Sequence, residues 1–128
     1  MYLVDTNILI YHINKNIPEN SRIKIHQIFI EHFNISVITK MEFLGFKSHT
    51  ERSYSKSSKF LEHADVIGLD DEIVETVISL KRKRKIKLPD AIIAATAKKN
   101  GLILVTRNEK DFKGIGIKIY NPFSESGT

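Results

Sequence analysis

KLPDAIIAATAKKNGLILVTRN, residues 87–108, decides the fold. Pro89 opens a helix here, because the N–H that proline lacks has no partner in a first turn anyway. The helix stops at Asn100-Gly101, where glycine accepts the left-handed conformation that closes a helix. LILV (102–105) follows at once, short and wholly apolar, as a buried strand does. The same alternation recurs on both sides of this stretch. Residues 2–4 read as a first strand and 7–14 as a helix, with Pro18 closing the segment after it. Ile25, Ile28, Phe29 and Phe33 mark a helix over 23–33, and ISVI (35–38) is β-branched enough for a second strand. A helix is expected from Thr39, a third strand at VIGL (66–69), a helix capped by Asp70 and running to Arg84, and a fifth strand at IKIY (117–120). Strands alternating with helices imply right-handed βαβ units and a mainly parallel α/β sheet of about five strands, covered on both faces. KSHTERSYSKSS (47–58) has almost no apolar anchors and is expected to be mobile or poorly packed. No repeat or linker divides the chain, so one domain over 1–122 is expected, with 123–128 as a frayed tail.

The composition narrows the chemistry. With 41% hydrophobic and 27% charged residues, the chain has the make-up of a soluble globular domain. The absence of cysteine excludes disulfides, thiolate metal sites and cysteine nucleophiles. No apolar run approaches a membrane span and no leader peptide is legible, so a soluble, cytoplasmic protein without a membrane partner is expected. Lys and Arg number 20 against 15 Asp and Glu, a formal net charge of +5 that suits a polyanion. KRKRKIK (81–87) concentrates six of those basic residues in seven positions. It reads as a solvated helix end, as a nuclear-import address by composition alone, or as a phosphate-binding stretch, with Arg82, Lys83, Lys85 and Lys87 as the candidates for phosphate contact.

Four acids raise a sharper question. Asp5 lies where the first strand meets the first helix, Glu42 follows the second strand, Asp90 opens the helix after Pro89, and Asp111 follows the fourth strand. Each has an ordinary structural explanation. Asp5 is a good N-cap residue, Thr39 and Glu42 have capping-box spacing, and Asp90 suits the positive end of a helix. Asp111 alone fits any surface loop. Together, however, all four fall where a parallel sheet places its sites, beyond the carboxyl ends of the strands. Asp70 and Asp71 share that placement and read mainly as caps.

If the four acids cluster, they need a counter-charge. Two carboxylates about 4 Å apart repel by roughly 4 kcal/mol at an effective dielectric of roughly 20, so they hold either protons or a cation. An all-oxygen donor set suits a hard ion, magnesium or manganese. The five histidines (12, 26, 32, 49 and 63) show no metal-ligand spacing and read as surface or rim residues. A hard cation on acids beside basic residues is chemistry for phosphoryl oxygens.

LVDTNILI, ITKMEFLG, LPDAIIAATA and LVTRNEKDF resemble, in order and spacing, the four signature segments of the PIN domain. The chain is most similar to VapC-like toxins of toxin–antitoxin pairs, over roughly Tyr2 to Pro122; DTN and PDAIIAATA are the specific parts. The resemblance implies a metal-dependent endoribonuclease with a three-layer α/β/α fold. It assigns Asp5, Glu42, Asp90 and Asp111 to a magnesium or manganese site, and Asn7, Thr106 and Asn108 to supporting polar positions. It also implies an RNA substrate, an antitoxin partner and a homodimer.

Two readings compete. A receiver-like phosphoacceptor domain would also be α/β and bind magnesium. It needs an acidic pair after the first strand and a lysine after the fifth, whereas one acid and YNPF stand there, leaving Asp70 as acceptor. A non-catalytic RNA-binding module would use KRKRKIK and leave the acids idle, although unscreened acids repel RNA.

Overall fold

The computed structural model describes residues 1–124 and contains a five-stranded parallel sheet. The strands are β1 (Tyr2–Val4), β2 (Phe33–Ser36), β3 (Asp65–Ile67), β4 (Ile103–Val105) and β5 (Ile119–Tyr120), in the order β3-β2-β1-β4-β5. The helices are α1 (Thr6–Ile13), α2 (Arg22–Glu31), α3 (Val37–Leu44), α4 (Glu51–Leu61), α5 (Asp71–Lys83) and α6 (Leu88–Asn100). Successive residues of a strand face opposite sides of a sheet. Leu3 and Leu104 accordingly join Ile73, Val77 and the alanines of α6 in one core, while Val4 and Val105 join Ile8, Leu9, Ile28 and Phe29 in the other. Those two cores make the three α/β/α layers. The strand order also separates the fold from the receiver-like one, whose order is 2-1-3-4-5.

α6 behaves as its sequence demands. Pro89 sits in the first turn, and Gly101 closes the helix at φ 62°, a left-handed value that a side chain resists. All seven residues from Ala91 to Ala97 are buried, so the small side chains let α6 approach the sheet closely.

Several boundaries move, for physical reasons. β2 spans 33–36 rather than 35–38, and Phe33 belongs to it rather than to α2. Ser36 accepts a hydrogen bond from the Ile38 amide at 3.2 Å and starts α3, drawing the β-branched Val37 and Ile38 into a helix. The cap therefore outweighs their strand preference. The capping box expected of Thr39 and Glu42 does not form; Thr39 is fully buried inside α3. β3 starts one residue before VIGL and stops at Ile67, at one edge of the sheet.

Residues 47–58, expected to be loosely packed, contain most of α4. Thr50 and Ser53 build a reciprocal capping box at its start. Its apolar anchors lie at the far end, where Phe60 packs on Phe29, Phe33 and His12. His12 is thus half-buried against these rings. Phe123, placed in the expected frayed tail, packs on Tyr11 with ring centroids 4.8 Å apart; the tail from 125 onward lies outside the described residues. No described helix is long and apolar enough to cross a membrane.

Candidate active site

β1 ends in the middle of the sheet, and Asp5 is the residue that follows it. The Asp5 amide donates to the Val105 carbonyl at 3.0 Å, which extends the β1–β4 pairing by one step and pins the backbone beneath the carboxyl group. Asp5 occupies the N-cap position of α1, yet its side chain makes no capping hydrogen bond. Instead its Oδ2 accepts from the Thr106 hydroxyl at 2.7 Å, across the junction of β1 and β4. A residue type well suited to capping is turned away from the cap and toward the strand ends.

Two further acids are held in the same manner. The Thr6 hydroxyl donates to Glu42 Oε1 at 2.8 Å and stands 3.1 Å from the buried Thr39 hydroxyl, so α1 and α3 are tied together beside Asp5. The Asn108 side-chain amide donates to Asp111 Oδ2, while the Asn108 backbone N–H donates to Thr106 Oγ1 at 3.0 Å. Asp90, the third residue of α6, is half-buried and has no side-chain hydrogen bond among the described residues. Asn7 lies exposed in the first turn of α1 and likewise has no side-chain hydrogen bond among them.

Electrostatics link all four carboxylates. Burial pushes Asp5 up from 3.8 to about 6; the Thr106 hydroxyl pulls it partway back, and the charges of Asp90 and Glu42 push it further up. Asp90 is also raised, first by burial, then by Asp111 and Glu42, with Lys87 opposing. Each acid therefore feels at least one other, a pattern of stored repulsion that protons or a cation relieve. Among the described residues no three His, Cys, Asp or Glu side chains are already gathered as a metal cage. The donor chemistry nevertheless fits a hard divalent cation: the oxygens are anionic, no sulfur is present, and their mutual repulsion favours a counter-charge.

The basic run divides in two. Arg84 donates to the carbonyls of Lys113 and Asp111, and Lys81 to the carbonyl of Ile86 at 2.7 Å, so both hold the loop after α5 in place. Lys85 and Lys87 line an open cleft of about 460 Å³ together with Asp90, Asp111 and Lys110. Arg82 and Lys83 stay exposed on the last turn of α5, outside that cleft. Lys110 has no counterpart among the sequence candidates; only its place beside Asp111 could have suggested it. Asp70 caps α5 by accepting from the Ile73 amide at 2.8 Å and pairs with Lys99, at the opposite end of α6 from Asp90. The placement shared by Asp70 and the four acids in sequence is therefore not shared in space.

Comparison with known proteins follows the same lines. The PIN domain family model matches residues 2–118. A chain of a toxin-antitoxin complex from Klebsiella pneumoniae is 34% identical, with a TM-score of 0.78, over 97% of this chain and 99% of that one. A chain of DNA-bound VapBC from Salmonella typhimurium is 31% identical at a TM-score of 0.77, covering 92% and 95% of the two chains. VapBC-1 from nontypeable Haemophilus influenzae is 27% identical at 0.80, covering 96% and 98%. No curated protein sequence matches significantly.

Proposed function

This chain belongs to the PIN domain family, and from that premise we propose that it is a divalent-metal-dependent endoribonuclease, the toxin of a toxin–antitoxin pair. The observation that carries the reading is the mutual repulsion of Asp5, Glu42, Asp90 and Asp111 beside the lysine-lined cleft. Likeness to chains of toxin–antitoxin complexes, matched over nearly their full length, supports the biological role and an antitoxin partner. The homodimer, the cytoplasmic location and the organisation of 1–122 as one nuclease domain stand as parts of the same proposal.

Asp5 and Asp90 are the direct ligands in this reading, and magnesium or manganese is the ion. When bound, such a cation neutralises phosphate oxygens and makes a water molecule more acidic. The chain supplies the rest. Thr106 fixes the orientation of Asp5, and Thr6 fixes that of Glu42. Glu42 and Asp111 would complete the anionic shell, and one of them would take the proton of the attacking water. As the new P–O bond forms and the old one breaks, that proton passes to the leaving oxygen, giving a phosphate on one product and a hydroxyl on the other. Lys85, Lys87 and Lys110 hold the phosphates that flank the cut, with Arg82 and Lys83 adding longer-range attraction. Asn7 and Asn108 are supporting donors at the rim.

RNA incubated with the protein should be cut with magnesium or manganese and left intact with excess EDTA. Undiminished cleavage in EDTA refutes the metal role. Expression should arrest growth, and a partner encoded nearby should relieve it.

A further inference from the structure

A second cleft opens against Glu42. It holds about 320 Å³, and Ile10, Phe43, Phe46, His49 and Lys56 share its wall with Glu42. Phe46 is 59% exposed and Tyr54 47%, large ring faces left open on a segment that spends nothing on burying them. His49 is fixed between the two. Its Nε2 donates to the Phe43 carbonyl and its Nδ1 accepts from the Ser53 hydroxyl, both at 2.9 Å. Phe46 and Tyr54 each meet the imidazole edge-on, at 5.7 and 6.0 Å between centroids. The result is a rigid group of rings rather than loose side chains. Along α4, Arg52, Lys56 and Lys59 recur at helical spacing with Glu51 as the only acid, and none of the three forms an ion pair among the described residues.

The geometry points to a nucleobase site: this cleft takes an unpaired base of single-stranded RNA, stacked on Phe46 in its wall. Tyr54, outside the wall and edge-on to the same His49, offers a face to the next base, and the cations of α4 follow the adjoining phosphates. The inference rests on the nuclease reading above and names its substrate class. Glu42 supplies the connection, because its Oε1 is bound to Thr6 beside Asp5 while the same side chain walls the cleft. Glu42 thus belongs both to the group of acids and to the wall of the cleft. Aromatic faces beside a cationic track are how proteins grip single strands, since every base has a face to stack. A duplex keeps its bases stacked and presents only phosphates and groove edges. An apolar peptide segment would also fit such a hollow, but it has no use for the three unpaired cations.

The test uses the full chain and mixed-sequence single-stranded oligoribonucleotides carrying one 2-aminopurine, whose fluorescence falls on stacking. Titration in EDTA reads binding without cleavage, and parallel assays in manganese read cutting. Wild type should quench the probe; Phe46→Ala and Tyr54→Ala should each weaken binding by about tenfold and reduce the quenching, with Phe46→Tyr restoring it. Thermal melts check the fold, and because both rings are exposed little loss is expected. Unchanged affinity and quenching in both alanine variants, with cleavage of RNA intact, overturns the base site and leaves the nuclease reading standing. Unchanged RNA binding together with lost neutralisation by a partner protein also overturns it, and makes the cleft a protein dock. A wild type that neither binds nor cuts RNA removes both readings.

Discussion

Replacing Asp5 by Asn should abolish cleavage and yet make the cation-free protein more stable at neutral pH. The folded carboxyl titrates at about 6, against 3.8 for an unburied aspartate. A gap of about two pH units is worth about 3 kcal/mol. The folded state holds this proton more tightly than the unfolded chain does, so stability falls as pH rises from about 4 to about 6 and the whole penalty stands at pH 7. Asparagine carries no charge and escapes the penalty. Its side-chain oxygen still accepts from Thr106, and the charge assistance that this bond loses is already contained in the titration gap. The gain is therefore about 3 kcal/mol. With an unfolding entropy of about 2.1 cal/mol/K per residue, a chain of 128 residues should gain about 10 °C in Tm. The assay is a set of thermal melts in EDTA between about pH 4 and 7.5, for wild type and variant. The curves should meet near pH 4 and separate through pH 6, with the variant above. Magnesium should then raise the wild type and leave the variant where it is, since only the wild type binds it well. Equal Tm values at pH 7, with parallel curves throughout, would refute the reasoning and return Asp5 to an ordinary cap.

Other perturbations separate the remaining roles. Glu42→Gln keeps the acceptor that Thr6 needs, so melts should change little while cleavage falls at least tenfold; normal cleavage would remove Glu42 from the site. Thr106→Val takes away the hydroxyl that lowers Asp5, so the Asp5 carboxyl signal in NMR should titrate higher than in wild type, and an unmoved signal contradicts the assigned contact. Changing Lys85, Lys87 and Lys110 together to Gln should reduce the log-affinity against log-salt slope for single-stranded RNA by about 2. An unchanged slope would make that cleft irrelevant to phosphates. Asp70→Ala should cost about 1 kcal/mol in urea unfolding through the lost cap and leave cleavage untouched, whereas loss of cleavage would place Asp70 at the site after all.

The parts of the fold legible in the sequence are those set by one local rule. α6 lies between a proline and a left-handed glycine, and β1 and β4 are apolar runs too short for anything but strands. Errors arise where two local rules compete. Val37 and Ile38 favour a strand by their branching, and the Ser36 side chain one residue earlier starts a helix through them. In α4 the serines and charges conceal a helix whose anchors, Phe60 and Leu61, lie beyond the polar stretch. The acids were readable as residues, and their approximate position followed from the parallel topology. Their partners were not readable: the Thr6–Glu42 and Thr106–Asp5 bonds join residues 36 and 101 positions apart, and no periodicity encodes such pairs.

That last separation bears on the order in which the ribosome makes the chain. Asp5 is synthesised well before Val105 and Thr106, which fix its backbone and its carboxyl group and follow it by about a hundred residues. β1 must wait in the middle of an unfinished sheet with its β4 side unpaired until α5 and α6 have crossed back over it. Pairings between such distant segments form late, because the intervening chain must be ordered first. A polypeptide stalled or released before β4 therefore carries the DTN triplet and Glu42 but lacks both Asp111 and the hydroxyl that orients Asp5. If the finished protein cuts RNA, this topology gives the cell an interval during translation in which the product is harmless.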